Sequence, residues 1–418
     1  MGDAPQTLVL KNVTVIDGTG APARPGQVVV VENGVIAGVH PADTWEAPDG
    51  AEVVDLSGHF VIPGMINGHV HLTAHRGDPE ALLSGMLRQG VTAVRDLGGD
   101  TRTLAVLARD ARLGMIDSPN IYFAANFFGP AFASDPRVRF SSMGYEPGTA
   151  PWAQTITDEV DLALAVAEAR GTGATGLKLY TSLDQPLLGR IVEEAHRQGL
   201  KVWAHATVFP VAPRNVLAAG VDGLEHTFLL LAENHNGQLP TTWAAGFHEW
   251  LPGQATPGVA GSSEALAPLF AEMAARDVHL GTTLHISHRL ARMEPEVERG
   301  WSPSAWANQE AWECKATKAA RDAGVALVAG TDFDGSIPIQ AEMELLVGCG
   351  LTPLEAITAA TLAAAEAIGV GERLGSIEPG KVADLVVLSS DPTDNILNVR
   401  NVIRVMKAGR WYESVGAE

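Results

Sequence analysis

The hydrophobic pattern divides the chain into two similar ends and a different middle. Residues 1–62 contain apolar runs such as "TLVLKNVTVID" and "GQVVVVENGVIAGV", with turn signals at Asp17-Gly18 and Asn33-Gly34, which predicts short strands joined by tight turns. Residues 374–418 have the same character, from "GSIEPGKVADLVVLS" to "VIRVMKAGRWYE". The pattern therefore predicts two β-rich ends around a central part of another kind.

The middle of the chain alternates short apolar runs with Ala- and Leu-rich stretches such as "EVDLALAVAEARGTGA". Eight runs have the length and composition of buried strands: "FVIPGMINGH", "VTAVRDLG", "NIYFAANFF", "GLKLYTS", "KVWAHA", "GLEHT", "HLGTTLH" and "ALVAGTDF". Eight strand–helix units in succession are typical of an α/β fold of the (β/α)₈ barrel type. A doubly wound open sheet is the structural alternative, although no GxGxxG motif follows a first strand and the chain has no phosphate loop.

Composition excludes several classes of protein. With 418 residues and a formal net charge of −20, the chain can bury a large core and should repel the phosphate backbone, so we expect no nucleic-acid partner. The N-terminus does not have the pattern of a signal peptide, and no apolar run is long enough to span a membrane. A cytoplasmic protein without a membrane partner is the expectation.

The two cysteines, Cys314 and Cys349, exclude a disulfide framework and a Cys-rich zinc module. A single bridge between them stays open from the sequence. We expect two buried free thiols instead.

The stretch "PGMINGHVHLTAH" concentrates three of the 13 histidines of the chain. His69 and His71 are two residues apart, so they share one face at the end of a strand and can converge on a metal ion. Taken alone, this pair could equally well be structural. His75 lies past the strand and fits a loop or helix start better than a ligand position.

Other predicted strands also end in side chains suited to metal binding. They are Lys178 in "GLKLY", His205 in "VWAHA", His226 in "GLEHT" and Asp332 in "AGTDF". In a barrel these strand ends meet on one face, which predicts a metal site there. Asp332 is a candidate for accepting a proton from a bound water. Lys178 could react with CO₂ as a neutral amine to give an anionic carbamate, or could form a buried ion pair.

Residues near these ends are candidates for contacting a substrate. Tyr180 shares the interior face with Lys178, and Trp203 shares it with His205, although Trp203 could equally pack in the core. Asp334 is the second choice of carboxylate. Further candidates for holding a substrate carboxyl or carbonyl group, each of which could instead be an ordinary surface residue, are His285, His288, Arg289 and Arg139. Tryptophans in or next to two long loops predict pocket walls, an oligomer contact or simple loop packing; they are Trp243, Trp250, Trp301, Trp306 and Trp312.

These motifs, in this order, resemble the amidohydrolase superfamily, and within it the imidazolonepropionase-like branch with its Xaa-Pro and Xaa-Arg dipeptidases and ochratoxin-hydrolysing amidases. The similarity covers nearly the whole chain and includes "NVTVIDGTG", "VIPGMINGHVHL", "GVTAVRDLGG", "GVDGLEHT" and "LGSIEPGKVADLVVLSSDP". It implies a distorted (β/α)₈ TIM barrel over residues 63–373 and a small β-sandwich built from residues 1–62 and 374–418.

The resemblance also implies a centre of two divalent metal ions, usually Zn²⁺. By matching motifs, His69, His71 and Asp332 would bind one ion, and His205 and His226 the other. Lys178, carboxylated by CO₂, would bridge them, and a bridging hydroxide would be the nucleophile. Asp332 would act as general base and then general acid, and Tyr180 is our candidate for stabilising the oxyanion.

The predicted function is hydrolysis of the C–N amide bond of an N-acyl amino acid, a dipeptide or an ochratoxin-like aromatic amide. The alternatives are hydrolysis of a cyclic amide, a lactone or a phosphoester at the same metal centre, and a non-catalytic scaffold. The loop segments 127–157 and 228–262 match no motif and should form much of the substrate pocket. Members of the family often form symmetric assemblies, so we expect a homo-oligomer.

Overall fold

The computed structural model describes residues 7–74, 77–254, 263–293 and 303–414 of the chain. Within these ranges, eight parallel strands form a nearly closed barrel in chain order, which confirms the predicted fold. Its strands are β6 (Met65–Val70), β7 (Val91–Asp96), β8 (Asn120–Phe128), β11 (Gly176–Leu179), β12 (Lys201–His205), β13 (Gly223–Glu225), β14 (His279–Gly281) and β15 (Leu327–Val328). Most of these residues are buried, as is usual for strands covered on both faces.

The barrel closes between its last and first strands. The Gly68 amide donates to the Ala329 carbonyl at 2.9 Å, and Val70 forms a parallel bridge with Phe333. This closure brings the chain just after β15 beside the end of β6. Two short strands, β9 (Thr149–Ala150) and β10 (Ala153–Thr155), extend the sheet next to β8.

Both chain ends contribute to a second, mixed sheet, as predicted. Its strands are β1 (Thr7–Val15), β2 (Arg24–Glu32), β3 (Val35–Pro41), β4 (Glu52–Asp55), β5 (Phe60–Pro63), β16 (Leu385–Leu388), β17 (Val402–Lys407) and β18 (Arg410–Glu413). The predicted run "FVIPGMINGH" divides at Gly64, because β5 joins this sheet whereas β6 joins the barrel. A side chain at Gly64 would lie 2.1 Å from Thr92 Oγ1, so only glycine fits at this crossing.

Helices follow most barrel strands and cover the outside. They are α1 (Pro79–Arg88), α2 (Thr101–Arg112), α3 (Pro136–Ser141), α4 (Leu162–Gly171), α5 (Gln185–Arg197), α6 (Pro213–Ala218), α7 (Leu251–Gln254), α8 (Ala267–Ala275), α9 (His285–Leu290), α10 (Pro303–Asp322), α11 (Ile339–Gly348), α12 (Pro353–Ala359) and α13 (Leu362–Ile368). Aspartates cap α1, α2, α4 and α5 by accepting backbone N–H groups, which explains where these helices begin. In the part of the chain that the structure describes, no helix combines the length and apolar character that crossing a membrane requires.

The expectation of two free thiols is wrong. Cys314, on α10, and Cys349, directly after α11, form a disulfide with their Cα atoms 4.6 Å apart. The two residues are 35 positions apart in sequence, and only the packing of the helices that carry them brings them together. Spacing along the chain gave no sign of this proximity.

Candidate metal centre

Six polar side chains from the ends of five barrel strands meet at the carboxyl end of the barrel. This metal-ligand cluster consists of His69, His71, Lys178, His205, His226 and Asp332. The imidazole centroids of His69 and His226 are 4.8 Å apart, and those of His226 and His205 are 4.9 Å apart. The structure thus gathers in one place all the candidate ligands that the sequence motifs nominated.

Asp332 lies beside His69 and His71. Its Oδ1 lies 3.0 Å from His69 Nε2 and 2.8 Å from His71 Nε2. Among the described residues, these three side chains form the group whose ligand atoms all lie within 4.8 Å of one another. The imidazole of His226 lies next to that of His69, and the imidazole of His205 lies next to that of His226.

A second contact orients each imidazole. His69 Nδ1 lies 3.0 Å from Glu225 Oε2, and His71 Nδ1 lies 2.9 Å from the Gly98 carbonyl oxygen. His205 Nδ1 lies 2.8 Å from the Tyr180 carbonyl oxygen. His226 Nδ1 lies 2.9 Å from Thr283 Oγ1. A carboxylate or carbonyl oxygen only accepts, so in the first three rings Nδ1 donates and Nε2 is the nitrogen left for a metal. Such outer contacts are typical of metal-binding histidines.

Lys178 is the one cation inside the cluster. Its side chain is fully buried, and Nζ has no hydrogen-bond partner in the described part of the chain. Burial lowers the pKa of Lys178 to about 8, against the opposing charges of Glu225 and Asp332. The structure shows no ion pair for this amine among the described residues, and an orphaned buried amine fits conversion to a metal-binding carbamate.

The charge states of His205 and Asp332 also suit divalent cations. Burial, followed by the charge of Lys178, holds the pKa of His205 well below its ordinary value, which keeps this imidazole neutral. Burial alone would raise the pKa of Asp332, but His69 and His226 hold it well below the usual range. Neutral imidazole and ionised carboxylate are the forms that bind metals.

The backbone is strained where the cluster is assembled. His226 and Asp332 have φ angles of 72° and 53°, and Thr283, which contacts His226, has a φ of 49°. The left-handed region is unfavourable for side chains of these types, and such strain concentrates at functional sites.

Sequence analysis missed a charged network directly beneath the cluster. Glu225 Oε1 accepts a hydrogen bond from Arg95 Nη2 at 2.8 Å and lies 3.4 Å from His279 Nε2, while its other oxygen contacts His69. Glu225 and Arg95 are fully buried. Both residues stand inside motifs that resemble the family, "GLEHT" and "VTAVRDLG", but only the fold shows that they meet.

A cavity of about 520 Å³ opens above the metal-ligand cluster. Its sides are lined by an aromatic wall, defined here as Phe128, Phe132, Phe140, Phe228, Trp243, Phe247 and Phe333. Within this wall, the rings of Trp243 and Phe247 stack with centroids 4.7 Å apart. Most of the wall comes from the two loop segments expected to form the pocket, and it creates an apolar site with a polar floor.

Some predicted substrate contacts line this cavity and others do not. Tyr180 and Asp334 do, and the Tyr180 hydroxyl donates to the Leu97 carbonyl at 3.2 Å. Arg139 is exposed on α3 and is not among the lining residues. Its neighbour Arg137 occupies the lining position instead.

The candidates on α9 also lie outside the lining. His288 bonds Glu310 at 2.8 Å, and the Arg289 guanidinium lies over the ring of Phe333, 4.6 Å from its centroid. His285 has a pKa lowered to about 4 by burial and by His288 and Arg289. Ile286 is the residue of this helix that reaches the cavity.

The tryptophans have different environments. Trp243 belongs to the wall, whereas Trp306 and Trp312 are buried in the core beside it. Trp250 packs on Phe209 without lining the cavity. Trp203 is fully buried within the barrel, where Arg95 lies 4.8 Å from its ring centroid, so it packs in the core. His75 and Trp301 lie outside the described residues.

Comparison with known proteins agrees with this arrangement. The family described as "Amidohydrolase family" matches residues 60–412. An adenine deaminase from Desulforamulus reducens is 25% identical over 393 residues, which cover 93% of this chain but 55% of that enzyme. Other curated relatives include adenine deaminases and imidazolonepropionases that match over 15–24% of their own length.

Two solved structures share the fold at low sequence identity. A Xaa-Pro dipeptidase superposes with a TM-score of 0.75 at 19% identity, covering 98% of this chain and 100% of that one. Ochratoxinase from A. niger superposes with a TM-score of 0.73 at 21% identity, covering 99% of this chain and 97% of that one.

Proposed function

The chain belongs to the amidohydrolase family, and we propose that it is a hydrolase that uses two divalent metal ions to cleave the C–N bond of a linear amide. The substrates we propose are N-acyl amino acids, dipeptides or aromatic amides of the ochratoxin type. The observation that carries this proposal is the metal-ligand cluster at the floor of an apolar cavity, with four imidazoles, one carboxylate and an unpartnered buried amine.

The donor set fits two cations better than one. His69, His71 and Asp332 provide ligands for the first ion, and His205 with His226 for the second. The neutral Lys178 amine would add to CO₂, forming an N–C bond and releasing one amine proton, and the carbamate oxygens would serve both ions. When bound, the ions would polarise the scissile carbonyl and lower the pKa of a coordinated water.

Asp332 is placed to move the proton of the reaction. Its low pKa makes it a carboxylate at neutral pH, and it borders the cavity beside His71 and His226. It can accept a proton from water during attack and deliver it to the departing amine. Tyr180 stays protonated, because burial raises the pKa of its phenol. It can therefore donate to a developing oxyanion if its hydroxyl turns from the Leu97 carbonyl.

The cavity favours a bulky apolar group on one side of the scissile bond. Seven aromatic residues form the wall, and ring–ring contacts with a substrate stabilise binding beyond simple burial. The size of the cavity suits a small organic amide rather than a folded protein.

The direct test is hydrolysis of a panel of amides by protein whose metal content is measured in the same preparation. The panel holds N-acyl amino acids, Xaa-Pro and Xaa-Arg dipeptides, ochratoxin A, cyclic amides, lactones and phosphotriesters. We expect turnover of a linear amide with about two metal ions per chain. Lys178→Ala should abolish it, whereas Lys315→Ala, at an exposed position on α10, should not. Turnover confined to esters or cyclic substrates would contradict the proposed reaction.

A second candidate is hydrolysis of a C–N bond in a ring or on an aromatic ring. The match to adenine deaminase along 93% of this chain favours it. Release of ammonia from adenine, or opening of a cyclic amide, by protein inactive on linear amides would establish this alternative.

A further inference from the structure

Arg137 brings a positive charge into the aromatic wall. It is the second residue of α3 and lines the cavity. Its Cζ lies 5.1 Å from the ring centroid of Phe132 and 5.2 Å from that of Trp243. Contacts with two aromatic faces fix the plane of a guanidinium and stabilise its charge.

Asp135 holds the guanidinium from one side. The Arg137 Nε and Nη2 atoms donate to the two oxygens of this carboxylate at 2.8 and 2.9 Å. Asp135 also accepts the Arg137 backbone N–H, so it is fixed as the cap of the helix. The Nη1 group donates no hydrogen bond within the described chain, and 54% of the Arg137 side chain is exposed. One edge of the guanidinium therefore remains available to a ligand.

The charge of Arg137 reaches the floor of the cavity. It contributes to the lowered pKa of His205 and opposes the rise in the pKa of Tyr180. Asp332 and Asp334 are the carboxylates that line the same cavity, and Arg137 is the one Lys or Arg residue among the described lining residues. Among the side chains that line the cavity, Arg137 is thus the cation that an anionic end of a ligand would meet away from the floor.

We propose that Arg137 determines specificity by binding a carboxylate of the substrate, while the aromatic wall holds an apolar group. The substrate class is then an aromatic amide whose leaving group carries a carboxylate, such as an N-aroyl amino acid. This inference rests on the proposed amidase function and replaces Arg139 and Arg289 as the residue that recognises the charge. A charge-assisted pair between a guanidinium and a carboxylate is both strong and directional.

The test compares two ligands that differ only in charge: N-benzoyl-L-phenylalanine and its primary carboxamide. Binding is measured by calorimetry and turnover by release of the amine, on metal-loaded wild type, Arg137→Gln and Arg139→Gln. Wild type should bind the carboxylate about 10- to 100-fold more tightly than the carboxamide. Arg137→Gln should lose that preference and keep its metal content, whereas Arg139→Gln, on the same helix, should keep both.

The outcomes separate this inference from the proposed function. A preference that depends on Arg137, in protein that cleaves neither these compounds nor any linear amide of the panel above, would support the binding role and contradict the amidase. Turnover of both compounds with a preference that persists in Arg137→Gln would overturn the role of Arg137 and keep the amidase. Equal binding of the two ligands by wild type would also overturn it.

Discussion

The floor and the sides of the cavity are built on different principles. In the metal-ligand cluster, four of the six residues are buried, His71 and Asp332 are partly buried, and a hydrogen bond at Nδ1 orients each imidazole. The aromatic wall comes mostly from loop segments, and its residues are held mainly by ring–ring packing. A network of hydrogen-bonded polar side chains is satisfied by one arrangement of those side chains, whereas a packed aromatic ring can be replaced by another apolar side chain of similar size.

This difference indicates how one barrel can serve different substrates. The floor would set the reaction, because its ligands must keep their geometry for two ions to bind. The wall would set the substrate through the residues that make no ring contact with those ligands; Trp243 and Phe228 are the exceptions, because their rings pack on His205 and His226. The predictions below test whether the two regions are separable in this way.

The largest effect is expected at the floor. Asp332→Asn removes the proposed proton carrier, which is also a proposed metal ligand. We expect kcat to fall by about 10³- to 10⁴-fold, since the loss of a general acid–base alone can cost up to about 10⁴-fold. Asp334→Asn, two residues further on at the rim of the cavity, is the matched control and should change kcat by less than about tenfold. Equal losses in the two variants would remove the distinction between floor and rim.

A smaller effect is expected one layer beneath the floor. Glu225→Gln weakens the contact that orients His69 and leaves Arg95 without its charged partner, so we expect zinc affinity to fall by about 10- to 100-fold. Competition with a chromophoric chelator measures this without any substrate. Glu233→Gln is the control, because Glu233 is also buried but pairs with Arg214. Unchanged affinity in Glu225→Gln would mean that the charged network supports the barrel only.

A modest effect, confined to substrate binding, is expected in the wall. Phe247→Leu removes the ring that stacks on Trp243, and the other ring contacts of Phe247, with Phe228, His248 and Trp306, involve no member of the metal-ligand cluster. We expect KM for an aromatic amide to rise roughly 3- to 10-fold, with kcat and metal content unchanged. Phe270→Leu makes the same substitution at a buried position on α8, outside the cavity. A loss of metal in Phe247→Leu alone would show that floor and wall are coupled.

The sequence predicted the floor far better than the wall. Strand ends on one side of a barrel must meet, so His205, His226 and Asp332 could be nominated from three separate motifs. Loop residues have no such rule, and Arg139 was chosen where Arg137 lines the cavity. Arg137 and Arg139 both lie on the short helix α3, and the two-residue alternation that applies to strands does not show which of them faces the cavity.

Prediction of the fold from the sequence had the same limit, because the hydrophobic pattern does not show contacts between distant segments. The hydrophobic period located all eight barrel strands and the sheet formed by both chain ends. It did not show where one apolar run divides at Gly64, because the reason is the approach of Thr92 from another strand. The Cys314–Cys349 bond and the Glu225–Arg95 pair were missed for the same reason, since both depend on contacts between distant segments.

The smallest effect concerns a buried acid behind the wall. Glu313, on α10, bonds Ser287 and Gln309, and burial raises its pKa from 4.5 to about 8. The folded chain therefore binds this proton more tightly than the unfolded chain, so stability from this group is present below pH 4.5 and lost as the pH rises through about 8. Tm should fall between pH 6 and pH 9, and Glu313→Gln should reduce that fall. An identical pH dependence in wild type and variant would contradict the raised pKa.

The most direct test of the central account is the number of metal ions that the cluster holds. Chelator-stripped protein is loaded with zinc and bicarbonate, freed of excess metal and measured by elemental analysis. We expect about two ions per chain for wild type and about one for His205→Ala, because the second ion loses one of its two imidazoles. Wild-type protein that retains no zinc, or a His205→Ala variant that retains as much as wild type, would contradict a centre of two metals.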